Sequence, residues 1–164
     1  MLLDLITAAR YNQWANTRVY AACEALSPEA LAEDRRGFFK SILGTLNHVL
    51  LADRIYRQRL EQVPVTFARL DEILHRDFAE LRAAQVEQDA WYVGFAESLS
   101  AADLDGTMSF DTVETGEHFS LPLRTCLTNL FEHQIHHRGQ IHHMISHAGL
   151  NPPPLDVVKF GAGE

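Results

Sequence analysis

The sequence predicts an all-α protein: a four-helix bundle with a long crossover that carries a short β-hairpin before the last helix. Apolar residues recur at three- and four-residue steps through four long segments, the period of a helix with one buried face. Capping residues and breakers stand at the ends of those segments. One stretch, 107–121, instead alternates apolar and polar residues around a glycine, which is the period of a strand.

The opening helix spans 3–26, with Leu5, Ala8, Tyr11, Ala15, Val19 and Ala22 on its apolar face. Ser27 is placed to cap a short second helix with Pro28 in its first turn, where a missing N–H costs nothing. Asp34-Arg35-Arg36-Gly37 breaks that helix. Ser41 caps the next long helix, 42–62, which Pro64 ends. A further helical pattern covers 70–98 through Leu70, Ile73, Leu74, Phe78, Leu81, Trp91 and Phe95. Met108, Phe110, Val113, a Thr115-Gly116 turn, Phe119 and Leu121 read as the hairpin. Pro122 opens the last helix, which runs to Ala148 and stops at Gly149. Gly139 inside that helix is expected to mark close packing. The tail Asn151-Pro152-Pro153-Pro154 is expected to be extended. The long link before the last helix implies a crossover, not an up-and-down bundle.

A chain of 164 residues fits one domain, 1–164, and 46% hydrophobic residues suffice for its core. The net charge of −8 opposes nucleic-acid binding, which needs clustered Lys and Arg. No apolar run is long enough to span a membrane, and the first residues lack the basic start of a signal peptide, so a cytoplasmic protein is expected. Cys23 and Cys126 sit at apolar helical positions without metal-binding spacing and read as buried free thiols.

Nine histidines are the anomaly, and six of them, His133, His136, His137, His142, His143 and His147, lie within fifteen residues. His133 and His137, four apart, share one helix face and can give two ligands to one metal. The apolar stripe of this helix is Leu123, Leu127, Leu130, Ile141, Met144, Ile145 and Ala148. His137 falls near its middle, His133 at its edge, and the other four outside it. His48 is the natural third ligand, although it lies on a secondary face with Thr45, Ala52 and Ile55, and a partly exposed helical histidine is the alternative. Asp53, on the main apolar face, needs a partner. It could accept a ring N–H, or cap, or pair with Arg10 or Arg57, and a structural role is favoured. There is no H-E-x-x-H, and only Glu72-Ile73-Leu74-His75 matches the Glu-x-x-His of di-iron bundles.

Three segments resemble the DinB/YfiT family of metal-binding bundles: Tyr11-Asn12-Gln13-Trp14-Ala15-Asn16, the stretch Ser41 to Asp53 around Asn47-His48, and His133-Gln134-Ile135-His136-His137-Arg138-Gly139-Gln140-Ile141. The likeness runs from about residue 5 to the proline tail. It implies one divalent metal, zinc or nickel, on His48, His133 and His137, and a homodimer. It further implies an enzyme that transfers a low-molecular-weight thiol to a small electrophile, with the metal holding the sulfur as thiolate. A non-catalytic metal-binding stress-response module and a hydrolase using metal-activated water are the alternatives. Asp53, Arg138 and Gln140 are the remaining pocket candidates. Arg138 points partly away from the stripe and would meet an acidic thiol cofactor or pair with a neighbouring helix, and Gln140 is placed to hydrogen-bond in the pocket.

Overall fold

Residues 4–163 are described by a computed structural model. The expected start of the opening helix at residue 3 falls outside them. The first helix, α1, is Leu5–Cys23, capped by Asp4, whose carboxylate accepts the Thr7 N–H at 2.9 Å. It ends three residues earlier than expected, in a turn closed by Leu26 N–H on the Cys23 carbonyl. Ser27 and Pro28 open α2, Pro28–Ala32, as their chemistry dictates. Ser41 caps α3, Ile42–Leu60.

The fourth helix, α4, is Phe78–Ser98, so the expected helix from 70 begins eight residues late. Asn47 supplies the reason. Its fully buried side chain accepts the Leu74 and His75 N–H groups at 2.8 and 2.9 Å and donates to the His75 carbonyl. These bonds hold 70–77 as an irregular segment against α3, and Asp77 caps α4 instead. The hairpin is as expected: β1, Thr107–Asp111, pairs antiparallel with β2, His118–Pro122, with Phe110 opposite Phe119. The last long helix, α5, is Leu123–His147, and a short α6, Val157–Gly161, follows the extended proline tail. Among the described residues no helix is long and apolar enough to cross a membrane.

The main packing pairs are α1 with α4 and α5, and α3 with α4 and α5. Helices α4 and α5 are therefore diagonal, and the hairpin link crosses the bundle between them. The core is divided along its length. One apolar cluster holds Val19, Cys23, Ile42, Leu50, Leu81 and Ile141. The other holds Ala8, Ala9, Tyr92, Ala96, Leu127 and Leu130. Between them every long helix contributes buried polar side chains: Asn12 and Asn16 from α1, Asp53 from α3, Gln85 and Asp89 from α4, Gln134 and Arg138 from α5. The order of the clusters along each helix gives the directions. Helices α1 and α5 run one way, α3 and α4 the other, so the link 61–77 must return along the bundle.

Cys23 and Cys126 are buried and unpaired, and burial pushes the Cys23 thiol up to about 12. Gly139 does not mark close packing, because a Cβ there would meet nothing. Gly139→Ala is therefore expected to raise stability by about 0.5–1 kcal/mol through helix propensity. A lower urea midpoint for this variant would contradict that reading.

Candidate metal centre

The site lies between the antiparallel α3 and α5. One turn of α5 separates His133 from His137, and His48 of α3 faces both. Ligand-capable atoms of the three lie within 4.8 Å of one another. His48 and His137 are buried at 5% and 7% exposure. The helix carrying His48 is buried on both faces, since Thr45, Ala52 and Ile55 are buried as well as Ile42 and Leu46.

Two of the three rings are oriented from behind. His48 Nδ1 donates to the Leu70 carbonyl at 2.7 Å, so the segment that Asn47 holds is also what fixes His48. His137 Nδ1 donates to Gln140 Oε1 at 2.9 Å, while Gln140 Nε2 donates to His136 Nε2 at 3.1 Å. Hydrogen bonds to oxygen at Nδ1 place the proton there and leave Nε2 with a free lone pair. Phe39 stacks on His48, with ring centroids 3.7 Å apart and planes 16° apart, and meets His137 edge-on. It is delivered by a tight turn in which Arg36 and Lys40 adopt left-handed backbone, φ 61° and 65°.

Burial, first, disfavours charge on all three rings. His133 is lowered to about 3 and His137 to about 4, and His48 is lowered too. The neighbouring rings add to this for His133 and His137. Neutral imidazole is the form that ligates metal. His48 Nε2 and His133 Nε2 stand 3.1 Å apart. Two imidazoles sharing one tetrahedral ion at about 2.0–2.1 Å would have nitrogens about 3.3 Å apart, close to the separation of this pair. Imidazole donors suit zinc and nickel.

The other expected residues separate. Gln140 bonds His137 directly. Asp53 does not touch the triad and pairs with neither Arg10 nor Arg57, which bind Glu97 and Glu61. Its Oδ2 accepts from Gln85 and Gln134 in the polar layer. Arg138 does not point away from the core. It is 3% exposed and donates to Asn12, Asn16 and Gln134, so it pairs with a neighbouring helix and does not reach the site. Sequence reasoning missed Phe39 and the Leu70 carbonyl. Asn47 was visible as an amide in a helix apolar over most of its circumference, but its contact with 74–75 was not.

None of the curated proteins compared with the chain matches it. Among solved structures it resembles the crystal structure of a DinB-like protein from Bacillus cereus ATCC 10987, with a TM-score of 0.65 at 17% identity, covering 86% of this chain and 90% of that one. At that identity the likeness concerns the fold. The sequence pattern of the DinB family matches residues 1–164, and the chain belongs to the DinB family.

Proposed function

We propose that the protein is a metal-dependent enzyme that transfers a low-molecular-weight thiol to a small electrophile, with one zinc or nickel ion on His48, His133 and His137. The observation that carries the reading is the convergence of three neutral rings, two of them with Nδ1 engaged by an oxygen acceptor. His48, His133 and His137 would hold the ion, which would supply an open position for a thiol and favour its thiolate as nucleophile. The chain's own groups hold the rings in the neutral, ligating form. Leu70 and Gln140 fix two of them, and Phe39 covers His48 from solvent on one face. The thiol releases its proton to solvent, its sulfur bonds the electrophilic carbon, and the bond from that carbon to the leaving group breaks with the pair departing on the leaving group.

Thiol chemistry is favoured over hydrolysis by what surrounds the rings. Among the described residues no carboxylate hydrogen-bonds to the triad. A thiol needs less help to ionise than water, with a pKa of about 8.5 against about 15.7. The two buried free thiols suit a reducing, cytoplasmic setting.

The test is elemental analysis of untagged protein beside His48→Ala and His137→Ala, followed by conjugation assays with bacillithiol, mycothiol and glutathione. We expect about one ion at the triad, lost in both variants together with turnover. A metal content in both variants equal to that of the parent would overturn the site. Metal lost in both but no turnover with any thiol would leave a non-catalytic metal-binding module.

A further inference from the structure

Four histidines of α5 lie outside the triad, and they are not equivalent. His136 is bonded to Gln140. His143 and His147 stand one turn apart, both exposed, with ring centroids 4.2 Å apart. Among the described residues neither ring has a hydrogen-bond partner. Two imidazoles at this spacing on a rigid helix offer two nitrogens to one ion with little ordering cost.

The opposite wall is built by the segment after α2. Gly37 lies close against Met144, which brings that segment onto α5. Glu33 and Asp34, with Arg35 and Arg36, consequently line the same cavity of about 710 Å³ as Gln140, His143 and His147. Glu33 is paired with Arg35 at 2.8 Å. Asp34 accepts the Arg36 N–H through Oδ1 only, which leaves Oδ2 for another partner. His147 is also the last residue of α5. The carbonyls of the final turn give that end a partial negative charge, which favours a cation.

We propose that His143 and His147 form a second divalent transition-metal site, exposed and distinct from the triad, with the Asp34 side of the groove facing it. Six residues separate His143 from His137, about 9 Å along the helix axis. The two sites therefore do not share an ion. Water completes the coordination of the outer ion, and the site exchanges with solvent.

Zinc binding by untagged protein, measured by equilibrium dialysis, tests this independently of the triad. Combining His48→Ala with His137→Ala leaves the inner site a single imidazole and isolates the outer one. In that background about one ion per chain is expected, falling to none when His143→Ala and His147→Ala are added. His142→Ala, a histidine off this face, should leave the ion in place. The same zinc content with and without His143 and His147 would overturn the proposal. So would an equal loss in His142→Ala, which would mark scattered surface binding. Because both residues are exposed, folding is not at stake, and His147→Gln alone should weaken the outer ion at least tenfold.

Discussion

Replacing Arg138 by methionine is expected to cost about 3–5 kcal/mol of folding stability at pH 8. Arg138 lies in a layer that also buries the carboxyl groups of Asp53 and Asp89. Its charge lowers the pKa of both, against burial that raises them. Methionine fills most of the volume and leaves the carboxyl groups without a counter-charge, and the Asn12 and Asn16 carbonyl oxygens without a donor. Urea unfolding at pH 8 should show the lower midpoint with an unchanged slope. At pH 5 the deficit should shrink, because both carboxyl groups are then protonated. A loss below about 1 kcal/mol at pH 8 would mean that Arg138 does not balance the layer.

Asp53→Asn is expected to stabilise the protein in alkaline solution. Burial pushes Asp53 up to about 7 and Asp89 up to about 8, from an ordinary value of 3.8. The folded protein thus holds protons that the unfolded chain has released. This contribution is complete below about pH 4 and is lost as pH rises through 7 and 8. Between about pH 4 and 8 stability should fall by up to about 1.4 kcal/mol per pH unit for each proton involved, and level off above that. In the variant the amide oxygen keeps the Gln85 and Gln134 donors, and its NH2 takes the place of Oδ1, which has no partner. One carboxylate and one guanidinium then remain. The variant should have a flatter profile than the parent and exceed its stability above pH 8. Parallel profiles for the two proteins would refute the shared burden of charge.

Much of this architecture is legible in the sequence because its determinants are local. Ser27-Pro28, Ser41 and Gly149 mark ends through their own backbone chemistry, and Thr115-Gly116 marks the hairpin turn. The pairing of His133 with His137 follows from helix geometry alone. Their meeting with His48 does not, since it depends on how α3 packs on α5, and the resemblance to the family supplied it. Residues 70–77 carry a helical apolar pattern, yet Asn47 bonds their backbone from 27 and 28 positions away. No window of sequence contains that competition. Of the two readings of Arg138, pairing with a neighbouring helix holds, but its full burial was not legible. A long cation on a helix normally marks the solvent face, and only the amides and carboxyls of three other helices make its burial tolerable.

The polar layer has a consequence for uniqueness. A bundle held together only by Leu, Ile and Ala can trade one axial offset for another at small cost, because any apolar side chain is an acceptable neighbour for any other. Here the helices must meet at one level. Sliding α5 by a single turn, about 5.4 Å, would set Leu130 beside two carboxyl groups or drive Arg138 among Val19, Leu50 and Leu81. Reversing a helix would not repair the mismatch unless its polar residues returned to the same height. The layer therefore acts as an alignment pin. It selects one register among many compact alternatives, and α3 and α5 in that register bring His48 level with His133 and His137.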